Sequence, residues 1–302
     1  MKKERNSKLG YAKNGWLYKE KTAGYIFSAP FIFGFLFFVI VPVATSLYYA
    51  FCNYNILKPA RWVGLKNFID IFQDPTFYKA LGVTLKFAFI SVPLKLVFAL
   101  IVALILLKGT KLTPFYRAAY YLPSILGSSV AVAILWKRMF AVDGLVNKLL
   151  GIQFAWLGST TAALWVIILL AVWQFGSSML IFLSAMKQIP PELYEAARVD
   201  GANRWHKIWH VTLPAIKPTI VVMLIMGVGG MLGADSDMIL LLYNPATYEY
   251  ADVIGTYLYR YGLMGGNFSY GTAVGFMISL INFGMVYLAN MVSRKVADYS
   301  LW

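Results

Sequence analysis

Residues 190–218 read P-P-E-L-Y-E-A-A-R-V-D-G-A-N-R-W-H-K-I-W-H-V-T-L-P-A-I-K-P, a polar island between two strongly apolar runs. Its internal order is that of two short helices joined by a sharp turn. Pro191 suits the first turn of a helix, where its missing N–H costs nothing. Glu192 and Glu195 then fall near the positive N-terminal end of the helix dipole. Tyr194, Ala196 and Ala197 form a small, partly apolar face, and Gly201 is where the chain can stop or turn. A second helical run from Ala202 carries Trp205, Ile208 and Trp209 at helical spacing. Leu213-Pro214 is expected to break that run before the next apolar stretch. A helix–glycine–helix knob between two long apolar runs has the form of something that docks into another protein.

The surroundings of the knob fix its setting. The chain has 302 residues, of which 60% are hydrophobic and only 13% charged. Soluble domains carry nearly twice that charge, so the composition is that of an integral membrane protein. About 20 apolar residues cross the hydrocarbon core as a helix. Stretches near 24–50, 80–107, 117–136, 161–186, 218–243 and 270–293 qualify. Pro123 is expected to interrupt the third and Gly229-Gly230 the fifth. No β-barrel alternation is present, and the fold class is all-α, a polytopic helix bundle. It divides into an N-terminal tail (1–22), a membrane domain (23–293) containing the knob, and a C-terminal tail (294–302).

With both termini inside, the cytoplasmic segments hold seventeen Lys and Arg and the outer segments eight. That bias places the knob in the cytoplasm and the chain in the cell membrane. The net charge of +14 follows from this topology and from contact with anionic lipid, so no nucleic-acid partner is needed to explain it. The single cysteine, Cys52, excludes an intramolecular disulfide. The run from Ala23 to Phe51 exceeds a signal h-region and is read as a retained span.

At the level of spacing, the knob resembles the EAA loop of binding-protein-dependent ABC importer permeases. That pattern is E-A-A, three residues, G, nine residues, I, one residue, L-P. Here it falls on Glu195-Ala196-Ala197, Gly201 (in Asp200-Gly201-Ala202), Val211 and Leu213-Pro214, with Val211 where Ile is usual. Ile208 stands where members often carry Phe, and both changes keep an apolar contact. W-V-G-L-K-N-F (Trp62 to Phe68) and F-Y-R-A-A-Y-Y-L-P (Phe115 to Pro123) are similar to runs in the sugar-type permeases. The Tyr-rich Leu242–Arg260 segment and the terminal Ser300–Trp302 look like the oligosaccharide and polysaccharide branch.

The resemblance implies a type I permease fold and a set of partners. These are two copies of a cytoplasmic ABC ATPase subunit, a second non-identical permease, and an extracytoplasmic solute-binding protein contacting outer elements such as Asp143–Ile152. From the residues alone, Asp143–Ile152 reads as an amphipathic helix on the membrane face. No G-x-x-x-x-G-K-S/T occurs, so the chain needs no cofactor of its own, and ATP and Mg belong to the partner ATPase. The implied cargo is a carbohydrate, an oligosaccharide in preference to a glycerol phosphate ester.

Other polar residues in the spans are candidates for the substrate path. Lys86 lies near an outer end and can snorkel, whereas Lys95 is closer to mid-span and costly unless partnered. Trp173, Gln174, Ser177 and Ser178 must face other helices or a cavity. Asp235 and Asp237, after the small-residue stretch Gly227–Gly233, could partner Lys95 or line the path, followed by Tyr243 and Asn244. A membrane enzyme acting on glycan or lipid would have to use Asp235, Asp237 and Lys95, with no cleft to invoke. His206 and His210 have i, i+4 metal-ligand spacing without further ligands nearby, so no metal is expected.

Overall fold

The computed structural model describes residues 20–55, 58–127, 129–231, 236–242 and 247–297. The first span comprises α1 (Glu20–Phe35), a π-helical turn (Leu36–Ile40) and α2 (Val41–Ala50). An antiparallel hairpin follows, β1 (Cys52–Asn55) with β2 (Lys58–Trp62), pairing Cys52 with Trp62 and bulged between Asn53 and Asn55. Then come α3 (Lys66–Gln73) and α4 (Pro75–Leu106). The third and fourth spans are bent pairs: α5 (Thr113–Leu126) with α6 (Val130–Met139), and, after the short α7 (Leu145–Leu150), α8 (Ala163–Trp173) with α9 (Gly176–Lys187). The knob is α10 (Pro191–Val199) and α11 (Arg204–Lys207), leading through a second π-helical turn (Ile208–Thr212) into α12 (Leu213–Met231). Helices α13 (Ser236–Leu242), α14 (Tyr248–Ala251) and α15 (Ile254–Leu258) precede the last span, α16 (Phe268–Ala297).

Among the described residues four helices are long and apolar enough to cross a membrane unaided, and with each bent pair taken as one span the number is six, as many as the stretches read from sequence; the fifth begins earlier than expected, at Arg204. The core lies where α4, α8, α9 and α12 meet, around Phe87, Leu96, Ile168, Met179 and Phe182. Apolar burial does not drive helix association inside lipid, so close backbone approach matters more. A Cβ on Gly176 would lie 2.2 Å from the Tyr120 carbonyl oxygen, and one on Gly227 2.7 Å from Val92. Only glycine lets α9 reach α5, and α12 reach α4, this closely. A second cluster (Ala50, Ile71, Phe77, Ile254, Tyr257 and Val274) ties the hairpin end of the molecule together.

Three expectations are corrected. Leu213-Pro214 does not break the helix: the chain is helical from Arg204 to Gly230. A proline lacks an N–H and its ring repels the carbonyl four residues back. Here the preceding turn widens so that the Leu213 N–H donates to the Ile208 carbonyl, five residues back, and the helix continues. The first span solves Pro42 in the same way, with a π-helical turn ending two residues before it.

Gly229 and Gly230 lie at the end of α12, where Asn282 on α16 donates to the Gly229 carbonyl (3.0 Å), and the described part of the 218–243 stretch falls on two helices, α12 and α13. Pro123 lies inside α5, and the break in the third span comes a turn later, before Ser129 caps α6 through the Val132 N–H. The helix expected over Asp143–Ile152 is only the six residues of α7, closed by Gly151 at φ +67°. Asn147 is buried there, bonding the Val142 and Phe154 carbonyls and accepting from Trp156 Nε1. Asn147 thus ties α7 to the chain on either side of it, while Leu145, Leu149 and Leu150 remain exposed.

Candidate functional site

The knob is a rigid, two-sided object. At the end of α10 the Ala202 N–H donates to the Ala197 carbonyl (2.8 Å) and the Gly201 N–H to the Arg198 carbonyl (3.1 Å). Gly201 sits at φ +76° between them. This is the Schellman arrangement, which satisfies the last carbonyls of a helix and needs a left-handed residue at the turn. Asn203 then caps the next helix, its Oδ1 accepting from the His206 N–H at 2.9 Å. Two caps back to back leave no slack between α10 and α11.

The two halves of the knob are also tied side to side. The Tyr194 hydroxyl lies 3.0 Å from Thr212 Oγ1, and Thr212 is buried and itself bonds the Lys207 carbonyl (3.3 Å). Tyr194, Val211 and Leu213 are half-buried against the main core. Ala197 and Ala202 are likewise half-buried. The opposite face carries Glu195, Ala196 and Asp200, all exposed. Apolar side chains project from the same knob: Val199 is 88% exposed, Trp205 70% and Trp209 64%. A shallow hollow of about 370 Å³ is lined by Leu193, Ala196, Ala197, Asp200 and both histidines. The imidazoles of His206 and His210 stack at 5.8 Å, and His210 Nδ1 is 3.1 Å from the His206 carbonyl. Pro214, in the first turn of α12, is exposed.

Because no hinge separates α11 from α12, a displacement of the knob is carried along one helix of 27 residues, about 40 Å.

A second polar feature lies mid-span, where α8 breaks from α9 by 42°. Gln174 stands at the break, and its side chain fills the space that a Cβ on Gly127 would occupy. Ser124 Oγ donates to the Gln174 carbonyl (3.1 Å) and accepts from the Ser177 N–H (3.0 Å). One hydroxyl therefore satisfies both backbone groups freed by the kink, as a non-aqueous setting demands. Ser177 is exposed and Ser178 buried. Trp173 packs against Trp136, with ring centroids 5.7 Å apart.

The remaining candidates are dispersed. Lys95 is half-buried on α4, and Asp237 is exposed in the first turn of α13. Asp235, Tyr243, Asn244 and Ser300–Trp302 lie outside the described residues.

Other residues emerge only from the fold. Asn67, within the Trp62–Phe68 run, donates to the Ala50 and Cys52 carbonyls (2.8 Å each) and clamps the end of the first span to the hairpin. Asp74 caps α4 and accepts from the Tyr257 and Tyr270 hydroxyls. Burial pushes the Asp74 carboxyl up, but the hydrogen bonds from Tyr257 and Thr76 outweigh it and hold the group below the usual carboxylate range. Asp252 is buried against Arg260 and Thr256, and burial dominates, pushing its carboxyl up despite those partners. The Tyr257 and Tyr270 partners of Asp74 lie 183 and 196 positions away, beyond the reach of any local pattern.

Comparison with known proteins places the chain. A profile of the family described as binding-protein-dependent transport system inner membrane component matches residues 25–298. The probable ABC transporter permease protein YesP of Bacillus subtilis is 47% identical over 214 residues, 69% of each chain. The polygalacturonan/rhamnogalacturonan transport system permease protein YteP of the same organism is 32% identical across 92% of this chain and 89% of its own. Among solved structures, a chain of a bacterial alginate ABC transporter, in complex with an alginate pentasaccharide-bound periplasmic protein, superposes with a TM-score of 0.83. It is 30% identical and covers 92% of this chain and 96% of that one.

Proposed function

The chain belongs to the family of binding-protein-dependent transport system inner membrane components, and from that premise we propose that it works as the membrane lever of an ATP-driven carbohydrate importer. The observation that carries this reading is the knob: a doubly capped turn, exposed apolar side chains, and continuity with the fifth span. Two copies of a cytoplasmic ATPase, holding ATP and Mg, each receive one such knob, the second belonging to a different permease chain. The N- and C-terminal tails lie on the same cytoplasmic side.

When the ATPases close, α10 moves as a unit, because Tyr194–Thr212 and the Ala202–Ala197 bond prevent it from rotating independently. The motion passes into α12 and, through the Gly227 contact with Val92, into α4. Rocking of the bundle between two openings about a mid-membrane site is the general logic of alternating access. Gln174 and Ser177, at the kinked junction, are the polar groups best placed to meet a sugar there. An oligosaccharide delivered by an extracytoplasmic binding protein is the cargo favoured by the similar proteins, among them a polygalacturonan/rhamnogalacturonan transport system permease and an alginate ABC transporter.

Reconstitution of this chain with its partner permease and ATPase in proteoliposomes tests the proposal. Labelled oligogalacturonate should accumulate only with ATP and a binding protein present. Accumulation without either, or an assembly that hydrolyses ATP yet moves no carbohydrate with any binding protein supplied, would refute it.

A further inference from the structure

A polar recess of about 310 Å³ lies where the hairpin, α3 and the start of α16 meet, away from both the knob and the kinked junction. Asn53, Lys66, Asn67, Asp70 and Asn267 line it, together with Tyr54 and Tyr270. The hairpin follows the first span and the knob follows the fourth, so in a chain of six alternating spans the two lie at opposite ends. With the knob on the ATPase side, the recess faces the compartment from which cargo arrives.

Its walls are held by bonds that leave several of the lining groups unspent. The Tyr54 N–H donates to Ser269 Oγ (2.6 Å), and that hydroxyl donates to the Tyr54 carbonyl (3.3 Å), stitching the hairpin to α16. Asn67 ties the same end of the hairpin to α3 through the Ala50 and Cys52 carbonyls. The Tyr54 ring lies flat on that of Tyr49, with centroids 4.4 Å apart. Asn53, Lys66, Asp70 and Asn267 are all exposed. Among the described residues Lys66 and Asp70 make no ion pair, and the side chains of Asn53 and Asn267 make no hydrogen bond. A fixed frame carrying unspent polar groups loses little freedom when a ligand binds.

The charges select the ligand. Lys66 and Asp70 stand four residues apart on one face of α3, about 6 Å along its axis. Lys66 is the first residue of that helix, the end where the dipole disfavours a cation, and lysine ahead of the acid is the weaker order for such a pair. Helix stability therefore does not account for the placement. A simple anion would meet Asp70 as well as Lys66, and a simple cation would meet Lys66. A uronate ring carries its carboxylate on one side and its vicinal hydroxyls on the other. It matches a wall that offers an ammonium donor at one point and, a turn away, a carboxylate acceptor and amides that both donate and accept.

We propose that this recess is an outer subsite for an acidic sugar ring of the cargo. Lys66 donates to the ring carboxylate, and Asp70, Asn53 and Asn267 bond the hydroxyls. The inference rests on the importer reading and adds to it a place where the glycan is held before it reaches the interior of the bundle.

Trigalacturonate carrying a photoreactive group tests it, applied in nanodiscs to the full chain assembled with its partner permease and ATPase, without binding protein. Labelled peptides should come from α3 and from the segments holding Asn53 and Asn267. Unlabelled trigalacturonate should compete about tenfold better than neutral maltotriose, the advantage of one charge-assisted hydrogen bond. K66Q should abolish that preference, whereas N267A should weaken both sugars alike, by about fivefold. Neither side chain is bonded within the described chain, so both variants should fold as the parent does, and the labelling pattern itself needs no variant. Equal competition by the two sugars, an undiminished preference in K66Q, or labelling confined to the α8–α9 junction in complexes that still import oligogalacturonate would overturn the subsite and leave the importer reading standing. Protection of the recess by sugar-free binding protein, with neither sugar competing, would overturn it in favour of a protein-docking face. Failure of the importer reading shows separately, as absent uptake.

Discussion

Gly201 gives the sharpest test of why the knob has its form. Its φ of +76° lies where an L-residue pays about 1–2 kcal/mol, yet a Cβ built there meets nothing within 4 Å. Gly201→Ala should therefore weaken the turn by that amount and no more, roughly a tenfold shift in its equilibrium. Gly201→Asn should cost less, because asparagine enters the left-handed region more readily. Gly201→Pro is of another kind. It fixes φ near −65° and removes the N–H that donates to the Arg198 carbonyl, so the turn cannot form. The assay is cargo-stimulated ATP hydrolysis by the reconstituted complex. The expected order of coupling is glycine, then asparagine, then alanine, with proline abolishing it. If alanine and asparagine were as damaging as proline, the glycine would be needed for close approach of a partner, and the backbone argument would fail.

Other perturbations address the remaining contacts. Tyr194→Phe removes the hydroxyl facing Thr212, a loss of about 1 kcal/mol, and should lower transport per ATP hydrolysed without lowering membrane expression. Ser124→Ala strands the Gln174 carbonyl and the Ser177 N–H at the helix break; a cost of about 1–3 kcal/mol should appear as a lower Tm in detergent, while Ser124→Thr should recover much of it. Asp74, whose carboxyl is held below its ordinary range, contributes stability that is present above the unfolded pKa and lost as pH falls through the folded one. Asp74→Asn should thus lower Tm at neutral pH, with the gap to the parent chain closing in acid; a pH-independent gap would contradict the assignment.

What was legible in the sequence was whatever is encoded locally. The six apolar stretches announce themselves by length, and the knob by residues whose roles lie within one or two helical turns. Pro191 at the first helical position, Gly201 at the turn and Asn203 at the next cap act through neighbouring backbone. The error at Leu213-Pro214 came from reading proline as a breaker without its surroundings. Pro42 and Pro214 are absorbed by widened turns, and Gly229 is held by Asn282 from another span. The hairpin escaped notice because C-N-Y-N and K-P-A-R-W are too short for a strand period to stand out, and its placement depends on Asn67. The hydroxyl of Ser124 matters only because α5 meets a kink 50 residues away, and no local pattern contains that information.

The central claim is that the knob is the contact through which an ATPase drives the bundle. Val199, 88% exposed on its outer face, is the natural position for a photoreactive residue. Irradiation of native membranes should cross-link that position to a P-loop ATPase, and the product should vanish when Gly201→Pro is added. Cross-linking at Val199 to lipid alone, in membranes where the importer still transports, would contradict the account.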